Sequence, residues 1–468
     1  MSEDLTLVSK EINQRPQKIL DHSDYRYLRI VQQNGGNTLD LDANGGQETV
    51  FQIPASQVFN FSRSLLVFGE TQTTDVTAAK FVYRFSDCIP HIRRITVSTQ
   101  KGQVILCDIP DVHKYTNATL RYETRLDEMS GNDSPLNLNA TPGGVFEGLI
   151  PPLSDTEFAV RNSNSEVVRN KLLEPIYYIK NDVAQKTLTI YNRLSLSLFK
   201  NTILAMDKNR FFGDVIEIRI TWNPNSCVYY EAEATTIDKA IAPSKTLNIF
   251  ALEFLLCTEN NVEIVKDMKT RFTNQGFVDH VPFLYHSKQL KTGSLQHIQI
   301  DVNRSQGSHL LKILWFPSNV YEDLFNRYRH SNLGHIAAAA GTIANTTNII
   351  DFNPLINGNP IYSSSVKCPL NEPYVYQKQR LKGSCITSVD DYNHNFTWYQ
   401  DWTDPNPLWM KQSNKFDPDV YIDGYPLTEP VKYEIDINFG AATATRNHYL
   451  YAVLLRKLTV NTNEISLT

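Results

Sequence analysis

The 468-residue sequence has no apolar run long enough to cross a bilayer as a helix. Its longest weakly polar stretch, residues 335–347 (HIAAAAGTIANTT), is short and made mostly of small residues. It has no basic excess: 45 Lys and Arg stand against 50 Asp and Glu, for a formal net charge of −5. That balance excludes strong electrostatic attraction to nucleic acid, and the first 33 residues share it. Charged and polar residues follow Met1 where a secretory signal would be apolar. The Asn-x-Ser/Thr triplets at Asn60, Asn117, Asn132, Asn139, Asn303, Asn345 and Asn395 are therefore expected to stay unmodified.

Chemical signatures are scarce as well. The six cysteines (88, 107, 227, 257, 368, 385) contain no C-x-x-C pair, and are expected as reduced, buried thiols. There is no G-x-S-x-G, no H-E-x-x-H and no phosphate loop. No catalytic, cofactor-binding or metal residue is assigned, and no enzyme activity is expected. His91, His113, His280, His286 and His297 are scattered and read as structural or surface residues. Asp40 to Gly45 (DLDANG) begins like a calcium loop, but the twelfth position is Phe51, where a bidentate Glu is needed. Asp390-Asp391 with His394 reads as an ordinary turn.

What the chain does have is short alternating segments broken by turn residues. Residues 215–222 (VIEIRITW) put Ile216, Ile218, Ile220 and Trp222 on one face, and β-branched residues favour a half-buried strand. Asn223-Pro224-Asn225 stops that strand. Further strands are expected at 25–33, 49–53, 59–68, 80–85, 92–99, 103–109, 157–168, 176–180 and 187–198. In the second half they are expected at 247–257, 262–269, 281–285, 295–302, 309–316, 374–379, 383–389, 396–402, 433–439 and 448–460. Helices are few. Residues 319–330 form one, with Ser318 as N-cap; residues 112–129 are a short helix or irregular; residues 199–209 hold a helical turn or two.

A chain this long exceeds what one core supports. The pattern implies all-β, with two sandwiches of about eight strands each, for which the jelly roll is one solution. The expected division is an arm at 1–24, a first jelly roll at 25–235 and a second at 236–468 with a loop insertion at 331–374. Trp398, Trp402 and Trp409 (FTWYQDWTDPNPLWM) are expected as surface or interface aromatics or as a loop core. A sugar-stacking platform is the alternative reading.

Several features together resemble one family. They are the early hairpin at 92–109, the segment LSLFKNTILAMDKNRFFGDVIEIRITWN, a helix after a strand in the second domain, and the terminal apolar strand. The chain is similar, over residues 50–462, to the double jelly-roll major capsid proteins of the adenovirus-hexon lineage. That lineage includes large eukaryotic DNA viruses, virophages and polinton-like viruses. The resemblance implies two tandem jelly-roll β-sandwiches with short helices, and a structural role in the virion as pseudo-hexagonal homotrimers tiling an icosahedral shell. It also implies assembly inside the host cell. Neighbouring capsid trimers and minor capsid proteins would be partners, and the arm would meet an underlying membrane or protein layer, with no sequence-specific nucleic acid binding. Residues 331–374 and 130–150 would be outward loops. Two other readings remain: a carbohydrate-binding or glycan-cleaving double jelly-roll protein, and a minor capsid or vertex protein.

Overall fold

The computed structural model describes residues 23–34, 36–73, 80–85, 89–101, 103–123, 175–181, 187–233, 236–241, 246–319, 349–378, 392, 396–402, 424–441 and 443–468. Its first half carries β1 (Tyr25–Val31), β2 (Leu39–Leu41), β3 (Glu48–Ile53), β4 (Phe59–Thr73), β5 (Lys80–Phe85), β6 (Ile92–Thr99) and β7 (Ile105–Pro110). Helix α1 (Val112–Glu123) follows, then β8 (Pro175–Asn181), β9 (Thr187–Ser195), β10 (Asn209–Arg210), β11 (Ile216–Trp222), β12 (Tyr229–Glu233), β13 (Thr236–Ile241) and β14 (Leu247–Glu259). Helix α2 (Val262–Asn274) leads into the second half: β15 (Phe277–Gly293), β16 (Leu295–Val302), β17 (His309–Asn319), β18 (Asp351–Ile356), β19 (Asn359–Pro360) and β20 (Val366–Lys367). After α3 (Glu372–Gln377) come β21 (Trp398–Asp401), β22 (Tyr425–Pro426), β23 (Val431–Asn438), β24 (Ala444–Val460) and β25 (Ile465–Leu467).

The strands form two sandwiches of the same design. In the first, a six-stranded sheet (order β1-β14-β4-β10, with β2 on β14 and β9 on β4) packs on a four-stranded sheet, β3-β11-β6-β7. In the second, a six-stranded sheet (β15-β24-β17-β21, with β22 on β17 and β25 on β24) packs on a five-stranded one, β16-β23-β18-β19, where β20 also pairs with β18. Position for position, β1, β14 and β4 correspond to β15, β24 and β17, and β3, β11 and β6 to β16, β23 and β18. A small sheet, β13-β12-β5-β8, flanks the first sandwich.

Side-chain alternation builds each core. Ile216, Ile218, Ile220 and Trp222 are all buried, as the period-two reading of β11 requires. Trp222 meets Phe68 from the facing sheet edge-on at 5.4 Å. In the second sandwich Trp315 of β17 meets Phe352 of β18 at 5.1 Å, and Trp398 of β21 meets the same ring at 5.0 Å. Cys107, Cys227, Cys257 and Cys368 are buried thiols, as expected. No helix among the described residues is long and apolar enough to cross a membrane.

Several expected elements differ. Between the expected strands at 215–222 and 247–257, where none was expected, lie β12 and β13. Leu247–Glu259, placed by the sequence after the 235/236 division, hydrogen-bonds with β1, β2 and β4 of the first sandwich. Residues 262–269 are helical, because the Asn261 side chain accepts from the Glu263 and Ile264 amides and caps the first turn. Residues 372–377 are likewise helical, not extended, with a proline in the first turn. Ser318 is not a helix cap: β17 runs through it, paired with Asn447 of the long strand β24. Residues 349–374 of the expected loop insertion supply β18, β19 and β20 and lead into α3. The expected strands at 157–168 and 383–389, the helix over 320–330, the loop at 130–150, the 390–391 and His394 turn, Cys88, Cys385 and Trp409 lie outside the described residues.

Candidate functional site

Two sandwiches in one chain require a joint, and the most extensively buried polar and aromatic contacts between them are made there. Helix α1 follows the edge strand β7. It starts at Asp111, whose backbone is left-handed (φ 47°) and whose carbonyl accepts from the Lys114 and Tyr115 amides. Val112, His113, Lys114, Tyr115, Thr116, Ala118, Thr119 and Tyr122 are all buried. A helix lying on a single sheet would leave one face wet. This one has the second sandwich on its other side.

The seam is aromatic with polar pins. Tyr115 packs on Tyr451 of β24 with ring centroids 4.9 Å apart and donates its hydroxyl to Lys200 O at 3.0 Å. Tyr451 donates back across the seam to Pro110 O at 3.2 Å. Lys114 Nζ donates to Ser318 Oγ at 2.9 Å and sits 5.0 Å over the Tyr449 ring, a cation–π contact strengthened where water is excluded. Lys288 lies at the same distance from that ring. Tyr122 packs 5.0 Å from Tyr399, and its hydroxyl accepts from the Thr397 amide at 2.8 Å. Burial raises the Tyr451 hydroxyl well above its ordinary value, so it stays a protonated donor.

A second contact joins the sandwiches near the chain crossover. Arg210 Nη1 and Lys208 Nζ reach the two oxygens of Asp279 on β15 at 2.8 and 2.9 Å. Burial pushes the Asp279 carboxyl up, but the two cations outweigh it and hold the group below the usual carboxylate value. Phe211 stands edge-on to Phe272 of α2 at 5.0 Å. The same Phe272 ring covers Gly213, where an added Cβ would lie 2.4 Å from it and where φ is +64°. Gly213 thus serves as the floor under α2.

The expected site residues are placed differently from a binding platform. Trp398 and Trp402 are fully buried in the second core, against Phe352 and against Tyr425 and Tyr433. Neither is a surface or interface aromatic, because β21 pairs into the six-stranded sheet and turns Trp398 inward. The calcium-like loop is a turn: Asp42 Oδ1 accepts from the Asn44 and Gly45 amides at 2.8 and 3.0 Å. Among the described residues, no group of three or more His, Cys, Asp or Glu side chains could hold a metal ion. The seam residues Lys114, Tyr115, Tyr122, Tyr449 and Tyr451 were not singled out from the sequence. One signal was available: residues 448–455 (HYLYAVLL) are apolar at nearly every position, the mark of a strand covered on both faces.

No protein-family model and no curated protein sequence matches the chain. Solved structures do. A chain in the cryo-EM structure of the Sputnik virophage overlaps with a TM-score of 0.55 at 10% identity, over 96% of this chain and 88% of that one. The fold is the double jelly roll. PBCV-1 VP54, in a structure fitted into a reconstruction of the virophage Sputnik, overlaps with a TM-score of 0.50 at 10% identity, over 96% of this chain and 97% of that one. At such identity the likeness extends to the double jelly roll itself, including the tandem placement of its two sandwiches.

Proposed function

We propose that the chain is a structural capsid protein of a DNA virus, built into the virion shell as pseudo-hexagonal homotrimers. The observation that carries this reading is the two-sandwich fold overlapping a virophage chain across almost its whole length. The buried seam supports it, because a shell subunit needs two rigid walls at a fixed relation. In this reading the first jelly roll runs to Glu259 and the second begins at Phe277, with α2 between them. Residues 1–24 act as a tether to neighbouring trimers or an underlying protein or membrane layer. Light scattering at micromolar concentration should give three times the chain mass, and a monomeric mass would count heavily against the proposal. Deleting residues 2–20 should spare the trimer and impair shell formation; intact shells from the deletion would refute the tether.

The carbohydrate reading loses its platform, since Trp398 and Trp402 are both at 0% exposure. A minor capsid or vertex role differs from the main reading in copy number per particle, and counting chains in purified particles separates the two.

A further inference from the structure

Helix α2 has one covered side. Phe272 packs on Phe211 and over Gly213, and Ile264 is buried. Elsewhere the helix is open: Val262, Val265, Lys266, Lys269, Thr270 and Thr273 line an open groove of about 550 Å³. Val262 is 77% exposed and Val265 half-buried. Asp267 is engaged by Arg271, one turn on, at 2.9 Å. Neither Lys266 nor Lys269 has a carboxylate partner among the described residues. The groove is therefore apolar with two cations over it.

Residues 1–22 lie outside the described residues, and the point where they leave them is at this helix. The Asp24 amide donates to Glu259 Oε1 at 2.9 Å. The Asn260 amide and side chain donate to the Asp24 carbonyl and carboxylate at 2.7 and 2.8 Å. Glu259 Oε1 also accepts from the amide of Asn261, the N-cap of α2, at 2.9 Å. The N-terminal segment thus departs at the first turn of α2. Its sequence matches the groove. Leu5, Val8 and Ile12 recur at i, i+3 and i+7, the spacing of one helix face, and Asp4 and Glu11 fall beside them. Residues 3–12 hold Glu3, Asp4 and Glu11 against Lys10 alone. Residues 13–22 reach about 33 Å when extended, against about 20 Å for the whole of α2.

We propose that residues 3–12 dock in the α2 groove of their own chain, with Leu5, Val8 and Ile12 against Val262 and Val265, and Asp4 and Glu11 opposite Lys266 and Lys269. The exit point and the charge complementarity argue for this occupant. A segment tethered at the rim of the groove meets it at roughly millimolar effective concentration, which a separate partner does not. The inference goes beyond the capsid reading and needs neither trimer nor shell. A docked segment is withheld from neighbours, so the tether of residues 1–24 forms only after the segment leaves α2.

Hydrogen exchange read by mass spectrometry on the full chain tests this. Residues 5–12 should exchange about tenfold more slowly in the wild type than in a free peptide of residues 1–15. Lys266→Glu with Lys269→Glu should remove that protection, and so should Asp4→Lys with Glu11→Lys. Lys378→Glu, at an exposed lysine just after α3, should leave it unchanged. Both pairs of reversals in one chain should restore it. The same pairs split over two co-expressed chains should leave both segments unprotected, because neither chain then has a matching groove of its own. Protection regained in the split pair would place the segment on a neighbour's α2 and overturn the assignment. Exchange at the free-peptide rate in the wild type, or protection that survives either pair of reversals, overturns it as well. Should Lys269→Glu abolish the melting transition, Val262→Asp alone carries the same reading, since that side chain borders the groove and is 77% exposed.

Discussion

His448 shows how one side chain can be fixed by its surroundings. It is fully buried, accepts from Trp315 Nε1 at 3.3 Å on Nδ1, and pairs with Gln296 Oε1 at 2.7 Å through Nε2. That pattern requires the neutral ring with its proton on Nε2. Burial, with Arg446 and Lys291 nearby, pushes the group from 6.5 down to about 3. The folded state therefore binds fewer protons than the unfolded one between these values. Stability is full above pH 6.5 and falls on acidification toward pH 3, by about 1.4 kcal/mol per pH unit at most. Urea midpoints at pH 7 and pH 4.5 should differ by less in His448→Gln than in the wild type; an unchanged difference would sink the argument. Trp398 offers a separate test. Trp398→Ala should cost on the order of 3–5 kcal/mol through the cavity it opens among Phe352 and Tyr362. A variant that melts like wild type would contradict the buried placement.

Elements are held by contacts of unequal worth. Arg210 and Asp279 are 6% and 15% exposed, so removing the carboxylate leaves a buried guanidinium without its counter-charge. Asp279→Ala should cost about 3–5 kcal/mol by that logic. The paired Arg94 and Asp108 on β6 and β7 make an equally short contact of 2.7 Å, but Arg94 is half exposed. Asp108→Ala should cost under about 1 kcal/mol. Equal losses in chemical denaturation would refute the distinction. Because the Asp279 carboxyl is held below its ordinary value, its contribution is complete above about pH 4 and disappears as pH falls further.

At the scale of the molecule, the seam couples two cores that could otherwise melt apart. With Tyr115, Tyr122, Tyr449 and Tyr451 all buried between the sandwiches, calorimetry of the wild type should show a single unfolding transition. Tyr115→Ala combined with Tyr451→Ala removes both the ring contact and the Pro110 bond, and should separate the transition into two. Two transitions in the wild type would mean that the seam does not couple the halves.

The sequence by itself determined the strand-rich character, the tandem arrangement and the inward face of strands such as β11, since period-two alternation and turn residues are local signals. It also carried the burial of Cys107, Cys227, Cys257 and Cys368. It misplaced α2 and α3, where short segments read equally well as strands, and it set the division at 235/236 although β14 belongs to the first sheet. It left Trp398 and Trp402 open between surface or interface aromatics and a loop core, because a cluster of aromatics looks the same in sequence whether it points to a core or to solvent. Only the tertiary structure decided those matters, and it alone placed Lys114, Tyr115 and Tyr122 against Ser318, Tyr451 and Thr397. The physical reason is sequence separation. Partners more than two hundred positions apart leave no local pattern, and a helix buried on both sides is recognised only when its second neighbour is in place.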